Sequence, residues 1–231
     1  MKLASINETY QLVAEDERSG ASNNYLYLKR GLDVLIALGM LVVFGPLMLL
    51  LALGIRLSSP GPIFYRQTRI GKNGNPFKML KFRSMQVTNN PDLHREYVQK
   101  LIRENLDPAK LGNGSLKLVG DPRITGLGKY LRKFSLDELP QIFNVLRGEM
   151  SIVGPRPPLP YEYEVYKEWH KQRLAVLPGI TGLWQATAHN IVSFDEMVKI
   201  DIRYIQSATF WLDIKLMFLT PIEMIKGKGS G

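Results

Sequence analysis

The chain contains no cysteine among its 231 residues. That excludes a disulfide framework and any thiolate metal site. Histidine is scarce. His94, His170 and His189 stand apart in sequence, which argues against zinc. No nucleic-acid motif, internal repeat or low-complexity tract is present. Residues 1–24 are polar and aperiodic, which suits a loosely docked arm. They lack the short apolar core and small-residue cleavage site of a signal peptide. Acid is in the minority: 21 Asp and Glu face 30 Lys and Arg, a formal charge of +9. That balance favours an anionic partner, either a membrane surface or a phosphorylated substrate. Nucleic acid ranks last, because the basic residues are spread along the chain.

What is present in abundance is apolar length. Val34 to Ile55 carries no charge and exceeds the roughly 20 residues a membrane helix needs. A soluble helix is rarely apolar on all sides for so long. Gly45-Pro46 falls near its middle. Proline lacks the amide donor and crowds the carbonyl four residues back, that of Val42, so a kink is expected. Lys29 and Arg30 precede the run, and Arg56, Arg66, Arg69 and Lys72 follow it. Positive residues mark the cytoplasmic side, and both ends qualify. A helix bent at Pro46 that enters and leaves one leaflet satisfies both flanks. Residues 25–57 are therefore expected to form a re-entrant helix-break-helix; a plain signal-anchor helix is the other reading. Asp33 would pair with Lys29 or Arg30 at the interface.

Residues 58–231 read as a small mixed α+β domain, with short helices around a small sheet. Ile63–Gln67 and Phe77–Met85 suit strands around a turn at Gly71–Asn75. Asp92–Asn105 suits a charged surface helix, Leu127–Phe134 and Glu162–Val176 suit amphipathic helices, and Phe194–Ser207 suits a further helix. Gly179–Gln185 reads as a turn into a strand. Phe210–Lys226, with Trp211, suits a helix lying in the membrane interface or packed on the core.

The chemistry concentrates at Arg132-Lys133-Phe134-Ser135-Leu136-Asp137-Glu138-Leu139-Pro140-Gln141. Two adjacent carboxylates stand at the start of a short apolar helix, Ile142 to Leu146. Ser135 with Glu138 fits a capping box; Pro140 equally fits the first helical position. Either boundary leaves Asp137 near the positive end of the helix dipole. A second basic turn follows at Gly154-Pro155-Arg156-Pro157-Pro158. Paired acids, arginines and a membrane segment suit a metal-assisted reaction at phosphate. A carboxylate can attack the inner phosphorus of a nucleotide-activated sugar, releasing a nucleoside monophosphate. The phosphoryl oxygens then need a divalent cation and arginines. Magnesium takes one or two carboxylates plus phosphate and water, which Asp137 and Glu138 could supply. Arg132 and Arg156 suit bidentate phosphate contacts.

The sequence resembles the bacterial sugar transferases, the monotopic phosphoglycosyl transferases that prime glycoconjugate synthesis on polyprenol phosphate. The resemblance rests on Lys29-Arg30 with Asp33, Pro46, Phe82-Arg83-Ser84-Met85, Gly120-Asp121-Pro122-Arg123-Ile124-Thr125, Ser135 to Gln141, Val153 to Pro157, and Pro178 to Gly182. It implies a UDP-sugar donor, undecaprenyl phosphate as acceptor, Mg2+, and a ping-pong mechanism. It makes Asp137 the nucleophile and Glu138 its metal-site or base partner. Arg132 and Arg156 would bind phosphate. Lys81, Arg83, Asp121 and Arg123 would lie near the nucleotide. Members often carry serine before the helix-breaking proline, where this chain has Gly45. Larger relatives carry extra upstream membrane helices, whereas this chain resembles the compact form. The implied location is the bacterial inner membrane, with the catalytic domain on the cytoplasmic face, among anionic lipids. Self-association is compatible with these features. The rival readings are a non-catalytic membrane-anchored relative and a basic membrane-surface module. Neither requires Asp137, Glu138 and both arginines together.

Overall fold

The structure, a computed structural model, describes residues 23–86, 92–105, 124–187 and 192–225. The polar arm to residue 22, and Asp121 and Arg123, lie outside the described residues. Helix α1, Asn23–Ser58, is a single 36-residue helix with Pro46 inside it. Much of it is bare: Leu35, Val42, Val43, Leu49 and Leu50 are exposed. Water does not tolerate so continuous an apolar surface, and the helix is long and apolar enough to cross a membrane.

Both ends of α1 are bonded to the same globular body. Near the start, Lys29 pairs with Asp213 at 2.8 Å. Arg30 donates to the carbonyls of Val145 and Leu146 at 2.7 and 3.1 Å. Asp33 is buried, and its Oδ1 accepts the Ile152 amide at 3.0 Å. The expected pairing of Asp33 with Lys29 or Arg30 is therefore corrected. Both cations reach other partners, and the carboxylate completes the backbone of a strand. Near the end, Arg83 donates to the carbonyls of Ile55, Ser59 and Pro60. It holds the last turn of α1, whose final carbonyls have no helical partner.

Strands β1 (Phe64–Ile70) and β2 (Pro76–Phe82) form an antiparallel hairpin, with Tyr65 opposite Lys81 and Arg69 opposite Phe77. The tight turn between them puts Asn73 and Gly74 at positive φ, which asparagine and glycine accept most readily. Helices α2 (Asp92–Arg103), α3 (Gly126–Lys133) and α4 (Gln141–Arg147) follow. β3 (Ser151–Val153) then pairs in parallel with β4 (Gly179–Thr181). Gly154 and Gly179 let these chains touch, because a Cβ on Gly179 would sit 2.1 Å from the Gly154 nitrogen.

Two expected elements differ. Glu162–Val176 is not one helix. It divides into α5 (Pro160–Tyr163) and a 3-10 segment, Glu168–Leu174. Lys167 between them is extended, and its amide is held by His170 Nδ1 at 3.1 Å. That side-chain bond starts the second segment, as a cap does. Gly179–Gln185 is not a turn into a strand: it begins with strand β4 and ends in helix α6 (Leu183–Thr187). Gly182, packed against the Gly154 carbonyl, lies between them. Helices α7 (Phe194–Ser207) and α8 (Phe210–Ile225) complete the chain.

The main core joins Ala37 of α1 to Ile142, Val145, Ile152, Val153, Leu183, Tyr204 and Leu216. A second cluster joins Met48 and Ile55 to Phe82 and Leu131. Buried Asn144 links α4 to β2. Its Oδ1 accepts the Leu80 amide, and its Nδ2 donates to the Lys78 carbonyl. It thus satisfies backbone groups that would otherwise be costly to bury.

Candidate active site

The carboxylate pair sits on a 3-10 turn, Leu136–Glu138, directly before α4. Ser135 precedes it in the left-handed region, at φ 53, and its side chain makes no capping bond. The capping-box boundary is therefore not adopted. Pro140 is not the first helical residue either: it is the N-cap, and the helix begins at Gln141. Leu136 and Leu139 pack on the Phe82–Leu131 cluster, so the two acids stand between two apolar anchors. Both are half-buried. A non-glycine residue at positive φ is locally strained and needs such surroundings to hold it.

Lys81 of β2 reaches this turn, its Nζ lying 2.7 Å from Glu138 Oε1. Lys78 lies on the opposite face of the strand and donates to Thr68. Arg132, in the last turn of α3, is half-buried and donates to the Met85 sulfur at 3.3 Å. Arg83 lies elsewhere, buried against the end of α1. Gly45 has open space where a Cβ would stand, and Pro46 is exposed.

Arg156 belongs to a loop fixed from beneath. Pro155, Pro157 and Pro158 have no amide hydrogens, so the loop cannot build its own ladder. Its carbonyls are taken by neighbours in succession. Pro155 accepts the Gly179 amide at 2.9 Å. Arg156 accepts Arg173 at 3.2 Å. Pro157 accepts Arg69 at 2.9 Å, and Pro158 accepts the Ile70 amide at 2.9 Å. Arg173 is buried and paired with Asp201, itself buried, and it also donates to Tyr166. Arg69 is 4% exposed, and its fork grips Gln67 Oε1 through Nε and NH2. Burial, then the like charge of Arg156, pull Arg69 down to about 10. The carboxylates of Glu162 and Glu138 and the Tyr161 phenol act on it in the opposite sense. Burial, then Glu162, push Tyr161 up to about 12, while Arg69 and Arg156 oppose the rise.

Arg69 thus feels the charge of Arg156 and, more weakly, that of Glu138. In the sequence Arg69 stands out only as a charge flanking the apolar run. The signal that could have found it is strand alternation, since Arg69 and Lys81 stand on one face of the hairpin. Arg173 and Asp201 gave no comparable signal, because their meeting depends on the packing of distant segments.

Among the described residues, no group of three or more His, Cys, Asp or Glu side chains gathers around one point. Two half-buried adjacent carboxylates instead suit a hard cation that completes its shell with substrate phosphate and water, the habit of magnesium. Lys81 meets Glu138 through one carboxylate oxygen, and carboxylate oxygens are the hard donors such a cation takes.

The profile of the bacterial sugar transferases matches residues 24–227. The exopolysaccharide production protein ExoY of Rhizobium meliloti is 41% identical over 202 residues, 87% of each chain. The galactosyl transferase CpsE of Streptococcus agalactiae is 42% identical over 208 residues, 90% of this chain and 44% of that protein. The UDP-glucose:undecaprenyl-phosphate glucose-1-phosphate transferase of Escherichia coli is 39% identical over 211 residues, 88% of this chain and 41% of that one. The chain thus spans less than half of the latter two and most of the first. The match runs through α1, the carboxylate turn and the Arg156 loop alike: the chain belongs to the bacterial sugar transferase family.

Proposed function

We propose that this protein is a membrane-bound phosphoglycosyl transferase. It moves a sugar-1-phosphate from a UDP-sugar to undecaprenyl phosphate and releases UMP, as a first step of exopolysaccharide or related glycoconjugate synthesis. The observation that carries this reading is the Asp137–Glu138 pair on one turn, with Lys81 on Glu138 at 2.7 Å. The printed names of the relatives support the substrates. One acts between UDP-glucose and undecaprenyl phosphate, and another is an undecaprenyl-phosphate galactose phosphotransferase of Salmonella typhimurium.

The Asp137 carboxylate attacks the phosphorus that bears the sugar. The bond to the bridging oxygen breaks, and UMP leaves with that oxygen and its electron pair. An acyl phosphate joins Asp137 to the sugar phosphate. An oxygen of undecaprenyl phosphate then attacks the same phosphorus, freeing the carboxylate and yielding the diphosphate-linked sugar. Magnesium, held by Asp137 and Glu138 when bound, would neutralise phosphoryl oxygens. Arg156 and Arg132 offer planar forks suited to phosphate, and Lys81 orients Glu138.

The acceptor is a lipid, and α1 keeps the site at the bilayer. Both flanks of α1 are bonded to one body, which supports a helix entering and leaving one leaflet, although the expected break at Pro46 does not divide α1 into two helices. Anionic lipids of the inner leaflet suit the charge of +9. The test is UMP release in detergent from a panel of UDP-sugars with magnesium and undecaprenyl phosphate. One productive sugar is expected, and Asp137→Asn should lower the rate at least about a hundredfold. A fully active Asp137→Asn protein would refute the nucleophile.

A further inference from the structure

We infer that Arg69 is a positioning residue for the nucleotide-sugar phosphates and acts through Arg156. The inference rests on the reading of Arg156 as a phosphate ligand. Arg69 is a buried cation without a carboxylate partner among the described residues: its side-chain bonds run to Gln67 and to the Pro157 carbonyl. Arg173, equally buried, differs in having Asp201. A buried charge is costly unless compensated. Here the Arg69 fork bonds the carbonyl of Pro157, the next residue after Arg156, and the like charge of Arg156 acts against it. Glu162 and Glu138 offset this only in part, since the net shift of Arg69 is downward, and the remaining field is one that a polyanion relieves.

The strut is mechanical as well as electrostatic. Arg69 NH1 holds the carbonyl of the residue immediately after Arg156. Gln67, two residues back on the same strand face, fixes the fork that makes this bond. The loop itself has three prolines and little backbone freedom to lose on binding. Arg156 is therefore presented at a fixed place, and its ordering cost is met in the free protein. Arg156 makes no hydrogen bond through its side chain among the described residues, so its guanidinium remains available to a ligand.

The test is a double-mutant cycle on UDP affinity, measured by titration calorimetry in detergent with magnesium, alongside KM for the productive UDP-sugar. Arg156→Ala should weaken UDP by about tenfold or more, the size of one charge-assisted contact. Arg69→Met should weaken it by a similar factor and raise KM more than it lowers kcat. Added to Arg156→Ala, it should cost less than about a further twofold, since it acts through the missing group. Arg69→Lys, which keeps the charge, should fall between the parent and Arg69→Met. Should Arg69→Met fail to fold, Gln67→Leu decides. It leaves both cations in place, should weaken UDP by about threefold, and should lose that effect in the Arg156→Ala background. Additive losses would overturn the inference, as would unchanged UDP affinity in a folded Arg69→Met protein. Unchanged affinity in Arg156→Ala would instead remove the phosphate reading on which it rests.

Discussion

At the scale of single residues, His170 shows how burial sets a protonation state. It is fully buried, and its two nitrogens are fixed by different partners. Nδ1 accepts the Lys167 amide at 3.1 Å, and Nε2 faces Asp195 Oδ1 at 3.1 Å. An acceptor at Nδ1 requires the neutral ring with its proton on Nε2. Burial lowers its pKa from the ordinary imidazole value, against the pull of Asp195. The folded form therefore binds the proton less readily than the unfolded chain. Stability from this group is complete above about pH 6.5 and is lost as the pH falls below it, down toward the folded pKa. Melting curves in detergent should drop between pH 7 and 5, above the range where ordinary carboxylates titrate. His170→Gln should flatten that slope. A wild-type slope that survives the substitution would assign the effect to other groups.

At the scale of elements, the N-terminal half of α1 belongs to the catalytic body. Asp33 caps the Ile152 amide within β3, and Val153 leads into Gly154 and the Arg156 loop. Arg30 caps the last carbonyls of α4, the helix that follows the carboxylate turn. Asp33→Ala would leave a buried amide unpaired, a loss of about 1–3 kcal/mol. It should lower the melting temperature by several degrees, whereas Leu35→Ala, at an exposed position, should leave it unchanged. Equal melting of the two variants would show that the Asp33 bond contributes nothing. Much of this architecture was legible in the sequence. α7 was bounded at Phe194 and Ser207 as found, because its serine cap, acidic first turn and apolar period agree. The hairpin was legible from Gly71–Asn75, and the long apolar helix from length alone. The partners of Lys29, Arg30 and Asp33 were not, because sequence proximity offered a local pairing that tertiary contacts replaced. Lys167–His170 failed for a related reason. Amphipathic spacing continues through it, but a side-chain bond to one amide breaks the helix. At the site, the acids and Arg156 were legible as motifs, whereas Arg69 required the strand register to be placed among them.

At the scale of the whole molecule, the arrangement of charge bears on how the protein meets the bilayer. Lys29 and Arg30 at the start of α1, and the carbonyls of its last turn, are engaged with the globular body. Lys29 reaches Asp213, itself bound by Tyr25 and Tyr204, and the Ile55 carbonyl meets Arg83. A straight helix of 36 residues would be ~54 Å long at 1.5 Å per residue. As a span it would separate these flanks by a hydrocarbon layer of roughly 30 Å. Breaking the buried Lys29–Asp213 and Asp33–Ile152 contacts to allow this would strand charges within the body, a cost of several kcal/mol. Proline at position 46 removes one helical bond near the middle of the run, where a bend costs least. Both flanks should therefore face the same side. The absence of cysteine makes the test clean, since single cysteines placed at Asn24 and Ser58 would be the only thiols. In sealed inverted inner-membrane vesicles, a membrane-impermeant maleimide should label both Asn24→Cys and Ser58→Cys from the outside. In right-side-out vesicles it should label neither. Labelling of Asn24→Cys in one orientation and Ser58→Cys in the other would establish a span and overturn the re-entrant arrangement.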